Sequence, residues 1–198
     1  VTGQTSRPHG QDSARTAAPS RVVVVGGGPA AHRFADAMHS RGLNGWNVTV
    51  LTEEPHLPYD RVALSKALTD VGADLKLGSA AMWDHEALTL RTGERVTGLD
   101  IEAGTVCTAA GSVYPYDHLV VATGSDAAKL PLPGSGLAHV YRTLEDVRAI
   151  NTAIADLTQT LGRKVNAVTI GGGLLGLEAA AGTGQLGATP IVVNGSPG

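Results

Sequence analysis

The sequence predicts an α/β protein built on two successive β-α-β units, and three observations carry that prediction. A β-branched run from Arg21 to Val25 breaks into Gly26-Gly27-Gly28-Pro29, after which apolar residues recur at helical spacing. A second run from Val165 to Ile170 breaks in the same way into Gly171-Gly172-Gly173. Between the two, short alternating segments are separated by glycine turns, the pattern of a small antiparallel meander.

Residues 1–20 are rich in Ser, Thr, Gln, Pro, Gly and Ala without apolar periodicity, so they are expected to form a disordered arm. After the first strand, a helix is expected from Pro29 to about Arg41, closed by Gly42, and Asn47 to Thr52 returns as a second strand. Two prolines between Pro55 and Tyr59 impose a loop, and Val62 to Leu68 has helical spacing. The meander is assigned to Ala87–Leu90, Arg95–Ile101, Thr105–Thr108 and Ser112–Tyr114, and His118 to Ala122 is a buried strand ending in Thr123-Gly124-Ser125.

The Pro/Gly-rich stretch that follows, up to Gly136, is expected to link a first domain, 21–136, to the start of a second, 137–198. Thr143, with Asp146 three residues later, has the spacing of a capped helix start, and Gly162 closes that helix after Leu161. The second unit then continues as a helix from Leu174 to Leu186, with Thr183-Gly184 expected to interrupt it, and a strand at Ile191–Val193.

Composition narrows the chemistry. With 198 residues the chain suffices for one domain plus part of another, and 42% hydrophobic but only 4% aromatic residues require an aliphatic core. A net charge of −3 provides no basic field, so no nucleic-acid partner is expected. No apolar run reaches the roughly 20 residues that span a bilayer, and Val1–Ser20 has no apolar signal segment, so no membrane partner and a cytoplasmic location are expected. Cys107 is the single cysteine, which excludes an intrachain disulfide, a Cys-x-x-Cys redox pair and a cysteine metal cage; no metal site is expected.

The glycine turns carry the binding chemistry. In Gly26-x-Gly28-x-x-Ala31 the first glycine permits the tight strand-to-helix turn, the second lets backbone amides approach a pyrophosphate, and Ala31 is small enough for close helix packing. The helix start adds unpaired N–H groups and about half a positive charge. Glu53 or Glu54, at the end of the second strand, is placed to accept hydrogen bonds from ribose hydroxyls. Gly171-x-Gly173-x-x-Gly176 repeats the device, so two dinucleotides are expected. There the acidic position is taken by Asn194, which leaves NAD against NADP open; the absence of Arg or Lys after Asn194 tilts the expectation to NAD.

Arg21-Val-Val-Val-Val-Gly-Gly-Gly-Pro-Ala-Ala, Tyr116-Asp-His-Leu-Val-Val-Ala-Thr-Gly-Ser and Gly171 to Glu178 resemble the three nucleotide fingerprints of the FAD-dependent pyridine-nucleotide reductases. The resemblance covers nearly everything from Arg21 to Leu186. Within that family, Glu53 to Ser65, His32-Arg33-Phe34 and Tyr141-Arg142-Thr143-Leu144-Glu145-Asp146 are most similar to the amino-terminal region of the assimilatory nitrite reductase NAD(P)H large subunit, and rubredoxin and ferredoxin reductases match these segments less fully.

The resemblance implies a Rossmann-like FAD-binding domain followed by the first β-α-β unit of an NAD(P)-binding domain. It implies FAD contacts at Gly26, Gly28, Pro29, Ala30, Ala31, Val96, Ala122, Thr123 and Gly124, with Arg61 and Lys66 near the pyrophosphate or flavin. It implies NAD(P)H contacts at Gly171, Gly173, Leu175, Gly176 and Glu178. Hydride would pass from NAD(P)H to FAD, and electrons onward to a siroheme or iron–sulfur acceptor domain or protein outside this chain. Disulfide reductases of the superfamily place a cysteine pair where this chain has Val62 to Leu68, so thiol chemistry is not implied. Two alternatives stay open: a non-catalytic nucleotide-binding module, and part of a rubredoxin or ferredoxin reductase. Strand edges left exposed by an unfinished second sheet allow a homo-oligomer.

Overall fold

A computed structural model describes residues 18–70, 72–128, 131 and 133–195. Residues 1–17 of the expected arm lie outside them, and Ser20 already belongs to the first strand. Strand β1, Ser20–Val25, is flanked by parallel β2, Trp46–Leu51, on one side and parallel β7, His118–Val121, on the other. Val22 and Val24 point to helix α1, Pro29–Ser40, where they pack with Ala31, Ala35, Val48 and Val50. Val23 points the other way and packs with Leu51 and Val106. A strand buried on both faces reads as an unbroken apolar run, which is what Val22–Val25 is.

The strand β3, Leu88–Arg91, departs from expectation. It is not the first member of the meander but the edge of the parallel sheet, pairing Val48 with Leu88 and Leu51 with Arg91, so the order is β3-β2-β1-β7. Alternation shows a half-buried strand without saying which way its partner runs. Here the chain crosses over the sheet through helix α2, Leu64–Thr69, and a 3₁₀ turn at Ala80–Asp84, whose Met82 joins the α1-side core and brings β3 in parallel. The meander has three strands: β4, Val96–Asp100, β5, Thr105–Thr108, and β6, Val113–Pro115, all antiparallel. Its Val106 and Tyr114 cover the second face of the main sheet.

Helix α3, Leu144–Leu161, starts with a complete capping box: the Asp146 amide donates to Thr143 Oγ1 and the Thr143 amide to the Asp146 carboxylate. Gly162 ends it in the left-handed region at φ 62°. Strands β8, Asn166–Ile170, and β9, Thr189–Val193, form a separate parallel pair with helix α4, Leu174–Gln185, between them. Among the described residues no helix is long and apolar enough to cross a membrane.

The expected interruption of α4 at Thr183-Gly184 does not occur. Gly182 and Thr183 are buried, and the Thr183 hydroxyl donates to the Ala180 carbonyl at 2.9 Å. A side chain at Gly182 would place its first carbon 2.3 Å from Leu68 Cδ2, so the small residues let α4 seat directly on α2. α3 packs on the same helix through Val147, in a cluster with Tyr59, Leu64 and Leu68. The second unit is thereby anchored to the first.

Candidate nucleotide-binding site

The two neighbours of β1 are reached by connections that leave in different directions, one through α1 and one through the long excursion to β7. Such a switch point opens a crevice at the carboxyl ends of the strands, where loops diverge. The structure has a cleft of about 370 Å³ there. Its wall is the Gly26–Ala30 turn; Glu53, Glu54 and Arg61 come from the β2–α2 loop, Val96 from β4, and Ala122, Thr123 and Gly124 from the end of β7. Most of the residues assigned to FAD from the sequence therefore meet on one cavity.

Each glycine in the turn has its own reason. Gly26 has φ 116°, and a methyl group there would lie 2.2 Å from the Ala122 carbonyl oxygen; it admits β7 as well as the turn. At Gly27 a methyl group would strike the Thr52 side chain at 2.3 Å. At Gly28 the nearest atom is Arg61 Nε at 3.7 Å, so the missing side chain leaves open cleft. α1 begins at that glycine with no side-chain cap and no acidic residue in its first turn, which leaves its initial amides available to an anion. Ala31 lies fully buried beneath the helix, as close packing requires, and does not line the cavity.

The two candidate glutamates differ sharply. Glu54 has a side chain 15% exposed, pairs with the Arg61 guanidinium and accepts from the Tyr59 hydroxyl. Arg61 also donates to the Arg142 carbonyl at 3.2 Å and stands over the Tyr59 ring at 5.2 Å. Leu144 N–H donates to the Tyr59 hydroxyl, and His56 pairs with Glu145, so this network ties the cleft loop to the start of α3. Burial first, then the hydrogen bond to Glu54, keeps the Tyr59 hydroxyl protonated far above the usual phenol range. Glu53, by contrast, is 61% exposed with one loose partner, Arg95, at 3.5 Å.

Lys66 is exposed on α2 and is absent from the cleft lining, unlike Arg61. Sequence reasoning missed Thr52, Glu94, Arg95, Asp126 and Arg142, all of which line it. Thr52, Glu94-Arg95 and Asp126 flank residues that the motifs single out, and Arg142 lies within the Tyr141–Asp146 segment, so proximity to those motifs was the available signal. Glu94 presents a buried Oε2 without a hydrogen-bond partner, an acceptor that a donor-bearing ligand would satisfy. Tyr141, beside Arg142, also has a buried hydroxyl without a partner. Burial and then the Glu178 carboxylate push its pKa up to about 12.

The second turn lies apart from this cleft. Gly171 has φ 116°, as Gly26 does, and Gly176 lets α4 close onto the turn, since a methyl group there would lie 2.1 Å from the Gly171 carbonyl oxygen. Gly173, which begins α4, faces open space, Leu175 is exposed and Glu178 is half-buried. Among the described residues no group of three or more His, Cys, Asp or Glu could hold a metal ion.

The chain is 36% identical over 174 residues to the ferredoxin reductase component of a chlorobenzene dioxygenase from Cupriavidus sp. (strain PS12), covering 85% of this chain and 40% of that protein. It is likewise 36% identical over 180 residues to a nitrite reductase [NAD(P)H] from Bacillus subtilis (strain 168), covering 89% of this chain and 22% of that protein. The chain thus spans less than half the length of these relatives. Among solved structures, the covalent putidaredoxin reductase–putidaredoxin complex matches with a TM-score of 0.72 and 28% identity, over 90% of this chain and 42% of that one. Residues 20–197 match a single family throughout, so the chain belongs to the pyridine nucleotide-disulphide oxidoreductases, a family that binds FAD and NAD(P)H.

Proposed function

We propose that the cleft at the first glycine turn holds FAD and that the chain is the FAD-binding portion of an NAD(P)H-dependent oxidoreductase serving a nitrite reductase. The observation that carries the FAD assignment is the convergence of Gly28, Glu53, Arg61 and Thr123-Gly124 on one cavity beside an uncapped helix start. The first amides of α1 bind the pyrophosphate, with the Arg61 guanidinium above them. Glu53 accepts from the ribose hydroxyls, and Glu54 acts as the clasp that holds Arg61 in place. The second turn holds NAD(P)H. The chemistry supplied by a bound flavin is acceptance of a hydride from a nicotinamide and release of electrons to an acceptor elsewhere, a siroheme or iron–sulfur centre in this proposal.

The nitrite reductase assignment rests on the segments Glu53–Ser65 and Tyr141–Asp146, because overall identity is the same for the ferredoxin reductase component. That equality favours a second reading, electron delivery to a ferredoxin. We place either activity in the cytoplasm and treat self-association through the exposed β8–β9 pair as part of the proposal; Val168 is 58% and Val193 50% exposed there.

The purified chain, mixed with FAD and desalted, is expected to keep flavin absorbance and to bleach when NADH is added under nitrogen. Retention without bleaching would make it a nucleotide-binding module, and no retention would end the FAD assignment. In the same assay Glu53→Gln is expected to weaken FAD by about tenfold, the loss of one charge-assisted hydrogen bond, with the melting temperature unchanged. Glu54→Gln is expected to lower stability by about 1–2 kcal/mol, since it leaves Arg61 half-buried without its carboxylate.

A further inference from the structure

Two residues of the cleft loop hold the start of α3. Arg61 Nη1 donates to the Arg142 carbonyl at 3.2 Å, and the Leu144 amide donates to the Tyr59 hydroxyl at 3.3 Å. Glu54 joins the two, because one carboxylate oxygen pairs with Arg61 and the other accepts from the Tyr59 hydroxyl. Tyr59 is 4% exposed and its backbone is braced on both sides: Asp60 N–H donates to Leu75 O at 2.8 Å and Leu77 N–H to Pro58 O at 2.9 Å. It is therefore a fixed point between a guanidinium that faces the cleft and the end of a helix. That helix leads into the second unit. α3 runs to Gly162 and is followed by β8, and the cluster around Tyr59 also contains Val147 of α3 and Leu186 at the end of α4.

We propose that Tyr59 is a positioning residue that ties occupation of the first cleft to the seating of α3, and through α3 to the placement of the second unit. This rests on the assignment of FAD to that cleft. A ligand biases a two-state element only if it interacts differently with the two states. Here one state has the first turn of α3 held by Tyr59 and Arg61, and the other has that turn frayed, the local opening to which helix ends are prone. Leu144 is the first residue of the helix, where an amide has no partner within it, so the Tyr59 hydroxyl is what engages it. In the held state Arg61 is fixed by Glu54 and by the Arg142 carbonyl beside Gly28. In the frayed state it loses the carbonyl, and Tyr59 loses the Leu144 donor that strengthens its bond to Glu54. A diphosphate at Arg61 thus binds the held state more tightly, and by reciprocity its binding holds the turn. Burial and the bond to Glu54 keep the Tyr59 hydroxyl protonated, so the link persists. Hydride transfer between nucleotides on the two units needs a fixed separation, which this link supplies once the first nucleotide is in place.

The test is amide hydrogen exchange of the full chain, empty and at saturating FAD, read at Arg142, Thr143 and Asp146, whose amides cap α3. In the parent chain FAD is expected to slow their exchange about tenfold. Tyr59→Phe keeps the ring beneath Arg61 and removes only the hydroxyl; there the gain is expected to fall to about threefold or less, the share left to the direct Arg61–Arg142 bond. Glu54→Gln cuts the link at its other end and is expected to show the same fall, so the outcome does not depend on Tyr59→Phe folding. Glu145→Gln is the control. It removes the tie to His56 and speeds exchange in the empty chain, while the gain with FAD is expected to stay at about tenfold. No gain in the parent, a full gain in Tyr59→Phe or Glu54→Gln, or a gain lost in Glu145→Gln would overturn the proposal. A parent chain that keeps no flavin absorbance after desalting would instead overturn the assignment of the cleft on which it rests.

Discussion

Gly26→Val is expected to unfold the first β-α-β unit, with a loss of at least about 3 kcal/mol in denaturant titration. Two costs add. The backbone at φ 116° is a conformation that only glycine adopts without strain, worth about 1–3 kcal/mol. The new side chain would also begin 2.2 Å from the Ala122 carbonyl oxygen and 2.6 Å from its carbon, and those are backbone atoms at the end of β7 that cannot rotate away. Forcing β7 off β1 breaks the ladder from Val22↔His118 to Val25↔Val121, and with it the Thr123-Gly124 wall of the cleft. A variant that melts with the parent would show that β7 does not depend on this close approach.

Gly28→Val should separate binding from folding. Its φ of −82° is ordinary for any residue, and the nearest atom to a new side-chain carbon, Arg61 Nε at 3.7 Å, is at ordinary contact distance. Stability is therefore expected to change by no more than the roughly 0.5 kcal/mol typical of exposed substitutions, read as a nearly unchanged melting temperature. FAD is expected to be lost on desalting, because the branched side chain stands where the pyrophosphate must meet the helix amides. Losing about two charge-assisted hydrogen bonds weakens binding roughly 100-fold. A folded Gly28→Val that keeps stoichiometric flavin would sink the placement of the pyrophosphate. The pair of substitutions, both in the first glycine turn, thus gives opposite readouts from the same motif.

Much of this is legible in the order of the amino acids. The glycine turns, the Thr143–Asp146 cap and the stop at Gly162 are local features whose chemistry depends on neighbours within a few residues, and they lie where the sequence puts them. The choice between Glu53 and Glu54 is not legible there. Adjacent residues at a strand end point in different directions, and only the approach of Arg61 and Tyr59 engages the Glu54 carboxylate while that of Glu53 stays exposed beside Arg95. Nor does the sequence foretell that Thr183-Gly184 continues the helix, because the contact that seats this part of α4, Gly182 against Leu68, is with a residue far earlier in the chain.

By itself, then, the sequence determined the periodicities, the turns and the glycine-led, uncapped helix starts, all set by sterics and hydrogen bonding within short stretches of backbone. Tertiary structure alone decided that β3 joins the parallel sheet, that Arg142 reaches the cleft, and that Gly182 of α4 seats on Leu68 of α2. Those outcomes depend on strand register and on contacts between distant segments. Neither leaves a periodic trace in the chain, since a pairing one residue out of step would read the same along the sequence.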